Sequence, residues 1–293
     1  MIRPSYLSDQ AIQQFIDAAL AEDIGRGDYS TLGSIPIETS CRARLMVKEE
    51  GKIAGLELAE KIFQRFDSGL RVEFFKKEGD EIKKGDVAFV VHGLARSIIS
   101  TERVVLNCLQ RMSGIATYTH RLCRLIVGTK AQLMDTRKTT PNFRLPEKWA
   151  VTIGGGKNHR FALYDMMMLK DNHVDMAGGI RAAIENVKKY LLEKSMDLKI
   201  EIEARTLGEV EEVLQAGGVD VIMLDNMSVE DMKIAVNRIA GKYKTEASGG
   251  ITESTLRAVA ECGVDYISVG ALTHSARSLD LSLKVVPNKR VEN

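Results

Sequence analysis

From about residue 130 onward the chain repeats one pattern, a short apolar run that stops abruptly at polar residues. The runs are QLMDTRK, MMMLKDNH, IEIEAR, VIMLDN, KTEASGG and YISVGALTH. Helical segments such as LGEVEEVLQAGG and TESTLRAVAECG lie between the later ones. Glu203, Asp225 and Glu246 are separated by 22 and then 21 residues, and Gly270 follows 24 later. Such an interval holds one strand, one helix and their loops. A strand covered on both faces reads as a continuous apolar run, as these do. Six βα units predict a closed or nearly closed α/β barrel, with a doubly wound sheet as the alternative. Both architectures place active sites at the C-terminal ends of the strands, where these runs turn polar.

The earlier part of the chain has another texture. Ser8 fits a helix N-cap, and Ile12, Ile16, Ala19 and Leu20 fall on one helical face. The helix runs out in AEDIGRGDYST, a turn signal. CRARLMVK (41–48) and RVEFFKK (71–77) read as strands, LELAEKIFQRF (56–66) as a helix, and GDEIKKGDVAFVVHG (79–93) as a hairpin turning at Gly-Asp. GDEIKKGDV also has the look of a lipoyl or biotinyl carrier segment, but an ordinary hairpin accounts for it. From Ser97 to about Ile126 the pattern is helical, with an interruption expected at Ser113-Gly114. The division expected is an α/β domain over 1–115, joined by the tail 277–293, and a barrel over 116–276.

The 293 residues suffice for one large domain or two ordinary ones, and the net charge of +1 gives no global field that would draw nucleic acid or a membrane surface. Cys41, Cys108, Cys123 and Cys262 form neither a C-x-x-C pair nor a zinc-spaced set with histidine, which suits a reducing cytoplasm. The opening MIRPSYLSDQ lacks the apolar core of a signal peptide, and no apolar run reaches 18 residues.

An anion site must therefore come from local clustering. Between Asp135 and His173 stand seven cations (Arg137, Lys138, Arg144, Lys148, Lys157, Arg160, Lys170) against four acids (Asp135, Glu147, Asp165, Asp171), together with His159 and His173. A charge run is ordinarily a solvated helix face. Here Arg137 and Lys138 follow one apolar run, and Lys170 and His173 close another, so they fall at strand ends. Gly154-Gly155-Gly156 would let backbone approach a ligand and offer N–H groups to oxyanions. Arginine presents a fork matched to carboxylate or phosphate, and lysine a point charge.

Glu203 and Asp225 end successive runs. Each reads either as a helix cap or as an acid facing the basic cluster, useful where positive charge develops or where sugar hydroxyls or a metal are held. Ser248-Gly249-Gly250 and Gly270-Ala271 end the last two runs, and read either as tight turns or as a phosphate cradle. His274 reads as structural or solvent-exposed. A phosphate cradle, a cationic cluster and two acids together suit a phosphorylated sugar with a diphosphate leaving group and a carboxylated co-substrate.

DTRKTTPNFRLPEKWAV, GGG, NHR and LKDNH, then IEIE, MLDN, EASGGI and SVGALTH, resemble the quinolinate phosphoribosyltransferase family. AEDIGRGDYST and STERVVLNCLQRMSGIAT extend the resemblance to most of the chain. It implies an N-terminal α/β sandwich and an open α/β barrel of six or seven strands, in homodimers or, as the alternative, hexamers. The implied reaction is phosphoribosyl transfer from phosphoribosyl diphosphate to quinolinate, with decarboxylation to nicotinate mononucleotide and with Mg²⁺ accompanying the diphosphate. By the same resemblance Arg137, His159 and Arg160 would clamp the quinolinate carboxylates. Lys138 and Lys170 would hold anionic groups, and Arg103 would reach into a partner subunit's site. Lys138, Glu203 and Asp225 form the implied catalytic set, with Glu203 and Asp225 on the ribose hydroxyls or Mg²⁺. Ser248, Gly249, Gly250, Gly270 and Ala271 would cradle the 5′-phosphate. No enzyme nucleophile is required, in keeping with the lack of a Ser/His/Asp or Cys/His arrangement.

Two positions depart from the family pattern: Asn142 stands where glycine is usual, and Ala204-Arg205 follows IEIE, where Arg205 could add positive charge beside Glu203. Alternatives are a related pyrophosphorylase-like protein of a molybdenum operon, against which Lys170-Asp171-Asn172-His173 argues, a nicotinate phosphoribosyltransferase, which needs one carboxylate clamp fewer, and a non-catalytic barrel binding phosphorylated metabolites, which gains nothing from Glu203 and Asp225.

Overall fold

The computed structural model describes residues 4–287. Over these residues the chain forms two compact units, one of residues 4–120, 139–155 and 273–287, the other of residues 121–138 and 156–272. Among the described residues no helix is long and apolar enough to cross a membrane.

In the first unit, helix α1 (Asp9–Asp23) starts at Ser8, whose hydroxyl accepts the Ala11 N–H at 3.2 Å, and it buries Ile12 and Ile16. Asp28 caps α2 (Tyr29–Ser34). Strand β1 (Ser40–Val47) buries Cys41, Ala43, Leu45 and Val47 and turns Arg42 and Arg44 outward, the period of two of a half-covered sheet. After β2 (Gly51–Lys52), α3 (Leu56–Phe66) buries Phe63. Next come β3 (Arg71–Phe74), β4 (Glu81–Ile82) and β5 (Val87–Leu94). Phe63 and Phe74 each meet Phe89 of β5 edge-on, at 6.0 and 5.8 Å between centroids.

The hairpin expected at 79–93 does not form. Its turn is present, with Gly85 at φ +97° and the Asp86 N–H bonded to the Lys83 carbonyl, but the arms part: β4 pairs with β2, while β5 pairs with β1 and β3. The interruption expected at Ser113-Gly114 is also absent, since α4 (Ala95–Leu125) runs through it. Ser113 reaches sideways to the Ala54 backbone, and a Cβ on Gly114 would strike the Arg277 carbonyl. Both residues are small for packing reasons.

The second unit begins with β6 (Gln132–Met134). The chain then contributes α5 (Arg144–Ile153) to the first unit before returning. There follow β7 (Met167–Leu169), α6 (Asp171–Ala177), α7 (Ile180–Glu193), β8 (Ile200–Ala204), α8 (Leu207–Ala216), β9 (Val221–Asp225), α9 (Val229–Ile239), β10 (Lys244–Ser248), α10 (Leu256–Ala260), β11 (Tyr266–Ser268) and α11 (Ala271–His274). The six strands are all parallel in the order β6-β11-β10-β9-β8-β7. This is an open α/β barrel whose gap lies between β6 and β7. Lys157 makes an isolated parallel bridge to Met134 beside β6, a strand reduced to one pair. Ile202, Ile222, Leu224, Ala247 and Ile267 are fully buried. The alternate residues carry the polar groups: Glu203, Met223, Glu246 and Tyr266 stand in one cross-strand row, and Met168, Glu201, Val221 and Lys244 in the next.

Strand β12 (Leu281–Pro287) returns to the first unit and pairs antiparallel with β1, giving a four-stranded sheet in the order β12-β1-β5-β3. Residues 288–293 of the expected tail, and 1–3 of the opening segment, lie outside the described residues.

Candidate active site

A pocket of about 320 Å³ opens at the C-terminal ends of the barrel strands. Thr136, Arg137 and Lys138 enter it just after β6, His159 and Arg160 from the segment beside the gap, Met168 and Lys170 from β7 and its end. Glu203, Met223, Glu246, Ser248 and Ser268 complete its walls from β8 to β11. The fully buried Asp135 ties the first two groups together, accepting the His159 N–H at 2.9 Å and the Asn158 amide at 2.6 Å, while its own N–H donates to the Lys157 carbonyl.

Four cations, Arg137, Lys138, Arg160 and Lys170, line the pocket beside Glu203 and Glu246. Arg160 is 9% exposed. One guanidinium nitrogen donates to the Met166 carbonyl at 3.2 Å, and its Nε has no hydrogen-bond partner among the described residues. Burial, then the Arg137 guanidinium, holds its pKa below the ordinary arginine value. Desolvating a cation beside another cation is costly unless an anion joins them. Lys170 is half satisfied, its ammonium 2.8 Å from Glu203 Oε1. Lys138 is exposed at the rim, its backbone N–H on Thr136 Oγ1 at 3.1 Å.

Of the seven cations expected in one cluster, Arg137, Lys138, Arg160 and Lys170 line this pocket. The other three do not. Arg144 turns to Thr139, Lys148 is wholly buried in α5, and Lys157 is exposed. Glu147 likewise belongs to the first unit, where it pairs with Arg111 at 2.8 Å and accepts both the N–H and the hydroxyl of Thr140. None of the triple glycine lines this pocket, and a Cβ on Gly154 would strike Ala116 and Thr119 of α4, so that residue lets two helices approach. His173 caps α6, its Nδ1 accepting the Lys170 N–H. Arg205 adds no charge beside Glu203, because it folds onto Glu209 at 2.9 Å. Asn142 adopts the left-handed backbone expected of a glycine substitute, φ 61°. Arg103 lies on α4 in the first unit, exposed, and His274 is exposed beside Ser275.

Asp225 ends β9 half-buried and accepts the Asn226 amide at 2.8 Å. Asn226 is left-handed (φ 54°), donates its N–H to the Ser248 carbonyl and lies against Gly249, where a side chain would collide with it. Gly250 is also at positive φ and faces open space. Gly270 and Ala271 connect β11 to α11.

Sequence reasoning passed over two residues. Glu201 and Glu246 are each 1% exposed on the barrel interior, with His159 Nε2 at 2.9 and 3.6 Å from them. Burial is the main cause that pushes Glu201 up to about 7, and burial followed by the charge of Glu201 pushes Glu246 up to about 8. The signal was the period of two: in IEIE, whichever face holds Glu203 also holds Glu201.

Comparison with known proteins gives a consistent result. Residues 28–113 match the N-terminal domain, and residues 115–284 the C-terminal domain, of quinolinate phosphoribosyl transferase. A chloroplastic nicotinate-nucleotide pyrophosphorylase [carboxylating] of Oryza sativa subsp. japonica is 46% identical, the alignment covering 94% of this chain and 77% of that protein. A probable nicotinate-nucleotide pyrophosphorylase [carboxylating] of Bacillus subtilis is 43% identical over 96% of both. The crystal structure of NadC from Streptococcus pyogenes superposes with a TM-score of 0.90 at 39% identity, covering 98% of this chain and all of that one.

Proposed function

This chain belongs to the quinolinate phosphoribosyltransferase family, and from that premise we infer how its residues divide the work. The enzyme transfers the phosphoribosyl group of phosphoribosyl diphosphate to quinolinate with decarboxylation, giving nicotinate mononucleotide, diphosphate and CO₂ on the way to NAD. The observation that carries the assignment of the pocket is Arg160, buried beside Arg137 with its Nε–H unpartnered among the described residues. A dicarboxylate supplies the missing acceptors.

In this reading Arg137 and Arg160 hold the quinolinate carboxylates, with His159 behind them, and Lys138 and Lys170 take the anionic groups nearest the reacting carbon. The ring nitrogen forms a bond to the anomeric carbon as the bond to diphosphate breaks. Glu203 and Asp225 favour the positive charge that develops on the ribosyl group, and bind its hydroxyls. The quaternised ring then accepts the electron pair released as the neighbouring carboxylate leaves as CO₂, and a proton takes its place. Ser248, Gly249, Gly250, Gly270 and Ala271 receive the 5′-phosphate on backbone N–H groups. Catalysis is positioning and electrostatics rather than nucleophilic attack by the protein.

The carboxylates also suit Mg²⁺, which prefers oxygen donors and is commonly held by one or two carboxylates plus substrate phosphates. Glu203 spends one oxygen on Lys170 and Asp225 one on Asn226, and the second oxygen of each accepts no hydrogen bond among the described residues. Bound there with the diphosphate, the ion would neutralise the leaving group.

The direct test is release of CO₂ and diphosphate that depends on both quinolinate and phosphoribosyl diphosphate; equal turnover of nicotinate would overturn the dicarboxylate assignment. We also propose a homodimer in which Arg103 serves a neighbouring site, with the dimer as the unit of a larger assembly such as a hexamer. Its support is an exposed arginine with no ion pair among the described residues. Mixing Arg103→Ala subunits with subunits inactivated at Lys138 is expected to restore activity, and no recovery would refute sharing. Four free cysteines favour a cytoplasmic setting.

A further inference from the structure

Loss of CO₂ leaves an electron pair on the ring carbon beside the nitrogen, and that carbon needs a proton. The pocket wall offers few sources. Arginine does not release one. Lys138 stands exposed at the rim, and Lys170 holds its ammonium 2.8 Å from Glu203, which would lose its cation if that proton left. His159 Nδ1 accepts the Arg160 N–H at 2.7 Å, so the ring is uncharged, and a neutral imidazole is a far weaker acid than a carboxyl group. Glu246 remains. It lines the pocket yet is only 1% exposed, and its Oε1 has no hydrogen-bond partner among the described residues.

Beside it lies a second acid. Carboxyl oxygens of Glu201 and Glu246 come within 4.8 Å of each other, and Glu201 is as deeply buried. Two carboxyl groups so close in a dry interior do not both ionise, so the pair keeps a proton at neutral pH. Burial, followed by the charge of Glu201, pushes Glu246 up to about 8, which favours the proton on the residue that lines the pocket. A neutral carboxyl group there also avoids repelling a substrate with two carboxylates.

From these groups we propose that Glu246 is the general acid of the decarboxylation: its carboxyl proton goes to the ring carbon that has lost CO₂. The inference rests on the quinolinate reading of the pocket. The bond to the departing carboxylate breaks, and its electron pair stays on the ring carbon. That pair forms the new C–H bond as the Glu246 O–H bond breaks, leaving a carboxylate. Glu246 also lines a second cavity, of about 260 Å³, which Lys199, Asp220, Lys244 and Tyr266 border from the N-terminal ends of the barrel strands. Solvent entering there can return the proton while product still occupies the pocket.

The test is a single turnover of quinolinate and phosphoribosyl diphosphate by wild-type enzyme, Glu246→Gln and Glu246→Asp, with diphosphate and CO₂ timed separately. Glutamine keeps the shape of the side chain but has no acidic proton. In Glu246→Gln the release of CO₂ is expected to slow about a hundredfold or more, the usual contribution of a general acid. Diphosphate release is expected to stay within about threefold of wild type, because bond formation to the anomeric carbon precedes the protonation. Without a proton donor the carbanion recaptures CO₂, so the phosphoribosylated dicarboxylate accumulates and is identified by mass spectrometry. Aspartate keeps an acid one methylene short and is expected to show the same split, smaller in size; it decides the matter if the glutamine variant does not fold. CO₂ keeping pace with diphosphate, or equal slowing of the two, would overturn the proposal. A wild-type enzyme that releases no diphosphate with quinolinate would instead refute the substrate reading, a different result from an active wild type whose variants show no split.

Discussion

At the level of single residues, Asp225 depends on its neighbours for its position. Asp225 is steadied by Asn226, and Asn226 occupies a left-handed conformation against Gly249. Gly249 is itself at φ +90°, where a side chain is strained, and its missing Cβ is the space that Asn226 fills. Gly249→Ala is therefore expected to cost about 1–3 kcal/mol of stability and to lower kcat more than it raises the KM for quinolinate, because it displaces the support of Asp225 and leaves Arg137 and Arg160 in place. Thermal melts and steady-state kinetics on one preparation check both halves. The sequence offers Gly249 as a tight-turn or phosphate-cradle glycine, but it does not report the contact with Asn226. That contact spans two strand ends, and nothing in the spacing of MLDN and EASGG reports it.

The elements divide by how locally they are determined. The barrel strands were readable because burial on both faces leaves a continuous apolar run, and the polar residue ending each run marks the strand terminus. The arms at 79–93 were misread because turn chemistry fixes a turn without fixing which strand each arm pairs with. Helix α4 was misread for a related reason. Glycine inside a helical pattern lowers intrinsic helicity, and the compensating contact with Arg277 lies more than a hundred residues away in sequence. This gives a test with a sign. On propensity alone Gly114→Ala in a helix would stabilise by about 1 kcal/mol. Here the added methyl meets a backbone carbonyl, and the expected result is a loss of about 1–3 kcal/mol, measured as a lower denaturant midpoint. Glu201 and Glu246 escaped notice because a carboxylate inside a strand ordinarily faces solvent, and only the closed interior of a barrel keeps it dry.

For the molecule as a whole, buried acids set a direction for stability against pH. An unfolded glutamate ionises near 4.5, and in the folded protein burial, followed by the charge of Glu201, pushes Glu246 up to about 8. Between those values the native state keeps a proton that the unfolded state has released. The contribution of Glu246 is therefore fully present below about pH 4.5 and is lost as pH rises towards 8. Glu246→Gln, which cannot ionise, is expected to flatten the fall in melting temperature between pH 5 and 8; an unchanged slope would mean that this carboxyl ionises normally.

The pairing of β12 with β1 has a consequence for biogenesis. Cys41 and Pro287 are register partners although 246 positions separate them, so the first sheet gains its last strand only after nearly the whole chain has been synthesised. Every strand of the barrel precedes β12 in the chain. On the ribosome the barrel strands can pair while one edge of β1 still lacks its neighbour. An exposed edge of that kind invites association with other chains. The arginines alternating along β1, Arg42 and Arg44, place charge on that strand during the wait.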